Sequence, residues 1–164
     1  MGAKKRINLI IAIIIIISIA ILILTVYRKV KQEATLQDLR TNLLLIQGKA
    51  KTYTEKVSVE TANLEETQIQ EIKEQKLKGT ILEKCDEKIR KAAEKSGIQD
   101  TKDYYYLSQE DLNSMGITIN VKDDEYYLVK YNFEDTEVVY TKGYEHEGKI
   151  YYKLSELKNV ELKK

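Results

Sequence analysis

The sequence predicts an α+β fold in which an amino-terminal transmembrane helix continues into a long amphipathic helix packed on a small antiparallel β-sheet. Three observations carry this. Residues Leu9 to Val26 hold no charge; apolar residues then recur every three or four positions as far as Val57; and ten of the twelve tyrosines lie after residue 100, in segments that alternate as strands do.

The chain has 164 residues, enough for one modest domain beside a membrane segment. Residues 1–27 carry Lys4, Lys5 and Arg6 and no acid, so the remainder holds 24 basic against 26 acidic side chains. That balance gives no electrostatic footprint for nucleic acid. One cysteine, Cys85, excludes an intramolecular disulfide and offers no zinc spacing. The fold must therefore be held by its core.

Residues 1–6 form a basic start, and residues 7–27 read as the transmembrane helix. Between Leu9 and Val26 the only polar side chains are Ser18 and Thr25, whose hydroxyls can bond back to helical carbonyls. The isoleucine run favours a strand by propensity, but lipid leaves an open strand's backbone unpaired and so selects the helix. A cleavable signal needs a small-x-small site after a shorter apolar core, whereas Ser18 to Ala20 lies inside the run, so the segment is expected to stay attached. Arg28, Lys29 and Lys31 nearly balance the basic start. Long domains translocate largely regardless of charge, so the reading is a single-pass cell-membrane protein with its carboxy-terminal domain outside the cytoplasm.

Residues 28–57 read as an amphipathic helix, with Leu36, Leu39, Leu43, Ile46, Ala50, Tyr53 and Val57 spaced 3, 4, 3, 4, 3, 4. Such a seam meets either its own domain or another chain. Leu36, Leu39, Leu43, Ile46 and Tyr53 are the candidate partner interface, with the membrane, pilin-like proteins or a second copy of the chain as the partners considered. Residues 58–79 are polar, with sparse Ile69, Ile72 and Leu77, and read as a variable connection.

Residues 80–164 are expected to hold a helix and the sheet. Thr80 and Glu83 match a capping box, Ile81, Cys85, Ile89 and Ala92 would line one helical face, and Gly97 would stop it. Cys85 then faces a core. A strand at 104–107 precedes a short helix capped by Ser108 and Asp111 and stopped at Gly116. Ile117, Ile119 and Val121 alternate as a strand would. Three further strands, 125–131, 136–142 and 149–153, are joined by "NFED" and "GYEHEG" into a meander. In the pairs Tyr126–Tyr127 and Tyr151–Tyr152 one ring points inward and one outward. This makes Tyr126 and Tyr151 a candidate exposed aromatic surface over a sheet that buries one face and shows the other.

The chemistry-bearing residues are few. Asp123, Asp124 and Glu125 are adjacent at a strand start and lack the spaced ligands of a calcium loop. His146 between Glu145 and Glu147 is the sole histidine, with nothing in the sequence to orient it. No phosphate loop, nucleophile motif or metal tetrad is present, so no enzyme, cofactor or metal site is expected.

The stretches "LRTNLLLIQGKAKTYTEKV" and "EYYLVKYNFEDTEVVYTKGYEHEGKIYYKLSEL" resemble pilin-like membrane proteins of low-GC Gram-positive bacteria, within the type IV pilins and pseudopilins. The resemblance covers most of residues 28–158 and implies one pilin-like domain over 28–164 that serves as a structural or interaction component, an accessory of a type IV filament or secretion apparatus. The family's glutamate within the apolar helix and its cut site have no counterpart here, so an uncut anchor is expected. A coiled-coil scaffold of the envelope or division machinery is the alternative, and an envelope glycan-binding module that uses the outward tyrosines is the third reading.

Overall fold

A computed structural model describes residues 3–132 and 134–161, with side chains of the first helix from residue 13 onward. The basic side chains of the amino terminus lie outside the described residues, as does residue 133 of the expected turn 132–135. The elements run α1 Ala3–Thr61, α2 Glu66–Lys76, β1 Thr80–Ile81, a 3₁₀ turn Leu82–Lys84, α3 Glu87–Lys95, β2 Tyr104–Leu107, α4 Gln109–Ser114, β3 Tyr127–Lys130, β4 Glu137–His146, β5 Lys149–Lys153 and α5 Leu154–Leu157. The class is α+β: a long apolar amino-terminal helix and a small antiparallel sheet. The chain divides into two compact units, Met1–Asp38 and Leu39–Lys164.

In the first unit the described side chains from Ile13 to Thr35 are exposed, and Leu36 is buried. The Ser18 hydroxyl donates to the Ile14 carbonyl at 2.8 Å and the Thr25 hydroxyl to the Leu22 carbonyl at 2.8 Å. Both hydroxyls are thus satisfied within the helix.

The second unit is built on a five-stranded sheet in the order β1-β2-β3-β4-β5, every neighbour antiparallel. Register fixes which residues share a face. Tyr106, Leu128 and Val139 are cross-strand neighbours, as are Tyr105, Val129 and Val138 on the opposite face. Leu128 and Val139 pack with Leu82, Cys85, Ala93 and Ile98, from the 3₁₀ turn and the α3 region. On the opposite face Tyr105, Tyr127, Val129 and Val138 are buried as well. Helix α1 supplies the matching seam, with Leu39, Leu43, Ile46, Ala50 and Val57 all buried. Two side chains beside that seam tie α1 down. The Gln47 amide donates to the Thr136 carbonyl at 2.7 Å, and the Arg40 guanidinium donates to the carbonyls of Leu157, at 2.6 Å and 2.9 Å, and of Val160.

Both faces of the sheet therefore carry a cover, which corrects the expectation of one open face. The reason lies between Gly79 and Gly97, where a single helix was expected. Gly79 has φ +99°, and a Cβ there would stand 2.5 Å from the Tyr106 carbonyl oxygen. That approach lays the β-branched pair Thr80 and Ile81 alongside Tyr106 and Tyr105 as an edge strand, so backbone pairing displaces the Thr80–Glu83 capping box. The helix starts later, with Asp86 at its N-cap position. Its buried residue is Ala93 and not Ala92, one position on from the expected face.

Ile117 and Ile119 are buried and Val121 is half-buried, but among the described residues they join no strand. The Gln109 side chain takes the place of a strand partner, donating to the Ile119 carbonyl at 2.7 Å and accepting from the Val121 N–H at 2.9 Å. Helix α4 matches its expected cap: Ser108 Oγ accepts from the Asp111 N–H at 3.1 Å and Asp111 accepts from the Ser108 N–H at 2.9 Å. Strand β4 is longer than expected and shifts register between Val139 and Tyr144. Gly143 sits in that shift at φ +70°, and a Cβ there would lie 2.9 Å from the Tyr152 ring, so the bare backbone is what the ring covers.

Gly79 and Gly97 both have positive φ, but only at Gly79 does backbone occupy the Cβ position. Gly97→Ala is expected to cost about 1 kcal/mol, the left-handed penalty alone. Gly79→Ala, which must also push β1 off β2, is expected to cost roughly 3 kcal/mol or more. Denaturant midpoints of the two variants in detergent micelles compare them, and equal losses would contradict the close approach of β1 to β2.

Candidate functional site

Helix α1 is the one element among the described residues that is long and apolar enough to cross a membrane. Its apolar window is wholly unburied, with Ile13–Ile17, Ile19, Ile21–Leu24 and Val26 all exposed. Leaving a side chain of that size in water instead of an apolar environment forgoes about 1.5–3 kcal/mol each. A surface of this extent far exceeds the scattered apolar residues of a soluble monomer, and it is compatible with a membrane anchor.

The seam considered as a partner interface lies elsewhere than on the surface. Leu36, Leu39, Leu43 and Ile46 are 1%, 8%, 0% and 0% exposed, and Tyr53 is half-buried. Leu39, Leu43 and Ile46 are spent within their own unit, because a helix docked on its own sheet buries the stripe that would otherwise meet a second helix. Leu44 and Leu45, which widen the stripe in sequence, are left exposed, at 47% and 51%.

Nor do Tyr126 and Tyr151 form one aromatic surface. Tyr126 is half-buried and meets Tyr106 edge-on with ring centres 5.8 Å apart, on the face covered by α3. Tyr151 pairs with Tyr144 across β4 and β5, and its half-buried ring lies under the Lys149 ammonium at 4.7 Å. Tyr152 packs towards the α3 cluster, so the alternation of β5 places Tyr151 on the other face. Two rings on opposite faces cannot grip one ligand.

The acidic run is pulled apart. Asp124 adopts φ 65° and pairs with Lys88, Asp123 is exposed, and Glu125 turns inward to 7% exposure. Among the described residues no group of three His, Cys, Asp or Glu could hold a metal ion. Glu125 accepts from Lys142 Nζ at 2.6 Å and is hydrogen-bonded by Tyr140. Burial raises its pKa, but the hydrogen bonds from Lys142 and Tyr140 outweigh burial and hold the carboxyl below its ordinary value. Burial and the Glu125 charge push the Tyr140 phenol up in turn. Next to this group the Thr141 hydroxyl accepts from the Tyr126 N–H at 3.1 Å, and the Thr141 N–H donates to the Tyr126 carbonyl at 3.0 Å. The cluster thus extends the β3–β4 ladder beyond its last regular pair.

His146 lies at the end of β4, its ring 6.5 Å from that of Tyr144. Cys85 is buried as expected, its thiol 3.5 Å from the Ile81 carbonyl and 3.6 Å from that of Thr80. Burial pushes the thiol pKa up, which disfavours the reactive thiolate. Arg40 and Gln47 escaped the sequence reading. Each follows a seam leucine or isoleucine directly, so its place on the seam's edge was visible, but the carbonyls it meets lie about a hundred residues further on.

In comparisons with known proteins, no family model, curated protein or solved structure matches the chain.

Because the folded carboxyl of Glu125 titrates below the unfolded one, its contribution to stability is complete above the unfolded value of 4.5 and is lost as pH falls through the folded value. Glu125→Gln should therefore be less stable than the parent chain near neutral pH, and the two should converge in acid. Midpoints of urea unfolding across a pH series test this, and a constant gap down to the most acid point would rule out the ionised pair as its source.

Proposed function

We propose that the chain is a single-pass membrane protein with a pilin-like domain outside the cytoplasm, acting as a structural or interaction component of a type IV filament or secretion apparatus. The observation that carries the reading is the division of labour along α1. Its first part is apolar and exposed, and its residues from Leu39 onward form the cover of an antiparallel meander. An anchor that doubles as the spine of its domain suits a protein that presents a surface, since the seam side chains Leu39, Leu43, Ile46 and Val57 are already committed to folding.

The stretches that resemble pilin-like proteins fall on this spine and on the strands β3 to β5 that it serves. The two alternatives are less well supported. A scaffold that dimerises through Leu39, Leu43 and Ile46 would have to lift α1 from its own sheet, and a glycan module would need Tyr126 and Tyr151 on one face.

Photo-crosslinking in cells from the exposed α1 positions Leu45 and Thr52, followed by mass spectrometry, tests the proposal. Adducts with filament or secretion subunits are expected, in a membrane fraction that resists carbonate extraction. Adducts confined to division proteins would overturn the filament reading, and release by carbonate would overturn the anchor.

A further inference from the structure

We infer that the segment from Ala62 to Lys76 is a strap that opens as a unit, latched by two exposed ion pairs, while the five-stranded sheet stays folded. Helix α2 holds no buried residue, and its apolar Ile69 and Ile72, one turn apart, are only half-buried. A helix of eleven residues with so little buried surface is marginal by itself, so its attachment decides whether it stays down.

That attachment is concentrated at one end. Lys76 Nζ lies 2.5 Å from Glu60 at the end of α1, and Glu74 lies 3.1 Å from Lys84 in the 3₁₀ turn. All four side chains are between 44% and 66% exposed, so each pair is weak and screened by salt.

Both limits of the moving piece are defined. On the amino side Ala62 to Glu65 are all exposed, and among the described residues the one backbone bond that ties this stretch to α1 runs from the Leu64 N–H to the Thr61 carbonyl at 3.2 Å. On the carboxyl side Leu77 is 8% exposed, and the Lys78 carbonyl accepts from the Tyr131 hydroxyl at 2.9 Å just before β1 joins the sheet. Opening therefore stops at Leu77 and leaves β1 paired with β2. The open strap presents Ile69 and Ile72 as a short apolar stripe on a helix that also carries Glu66, Glu71 and Glu74. The opening depends on ionic strength, and it stands whether or not the domain serves a filament.

Hydrogen exchange of the full chain in micelles, read by mass spectrometry, tests the strap. Amides of residues 66–76 should exchange faster than those of 41–57, and raising salt from about 0.01 M to about 0.5 M should speed the first group several-fold and leave the second unchanged. At low salt Lys76→Gln, which removes one of the two pairs, should speed exchange of 66–76 part of the way to the high-salt rate of the parent chain, and Lys76→Gln with Lys84→Gln should reach it. Exchange of 66–76 in step with 41–57 would overturn a separate opening. Fast exchange indifferent to both salt and Lys76→Gln would overturn the ion-pair latch.

Discussion

A helix buries only the stripe it turns towards its neighbours, and in α1 the stripe from Leu39 to Val57 is the surface on which the sheet is assembled. The placement of other elements follows from that contact. Gln47 holds the start of β4 against it, and Arg40 gathers α5 and the residues just after it through the carbonyls of Leu157 and Val160. The guanidinium is well suited to that second task, because its fixed fork of donors can reach both carbonyls at once. Once the stripe is committed, what α1 has left for other molecules is its apolar amino-terminal part and residues such as Leu44 and Leu45.

The tyrosines answer a different need. Beside the buried leucines of a small sheet, phenols supply apolar area while keeping a polar tip near the rim. Tyr127 and Tyr140 are direct cross-strand partners with rings stacked at 5.1 Å, and Tyr105 meets Tyr131 edge-on at 5.2 Å. Burial, with the Glu125 charge beside it, pushes Tyr127 up to about 12, and burial also raises Tyr131, whose hydroxyl donates to the Lys78 carbonyl. Tyr105, Tyr127, Tyr140 and Tyr144 are thus material of the core, whereas Tyr126 and Tyr151, the rings that looked like a binding surface in the sequence, are half-buried. The hydroxyls of Tyr140 and Tyr131 also serve the core, closing contacts to Glu125 and to the connection that precedes β1.

The carboxylates show the same economy. Three adjacent acids suggest a cation, yet a strand start turns successive side chains in different directions, and the left-handed backbone at Asp124 separates them further. Asp124 reaches Lys88 of α3 and Glu125 reaches Lys142 of β4, so the run fastens two neighbours to β3. Buried charge persists there because Lys142 and Tyr140 both satisfy it.

By itself the sequence determined the features that depend on local periodicity. The apolar length of α1, its seam, the Ser108–Asp111 cap, the strand at 104–107 and the meander were all legible, since each is set by side chains within a few residues of one another. Only the tertiary structure decided the rest. Thr80 and Glu83 have the spacing of a helix cap, but Gly79 lets the chain approach the Tyr106 carbonyl, and pairing with β2 outweighs the local preference. Ile117 to Val121 alternate like a strand, but Gln109 meets their backbone before any strand does. Which side of a sheet is covered, and whether a seam meets its own domain or another chain, depends on what folds against it from a hundred residues away, and no local pattern records that distance.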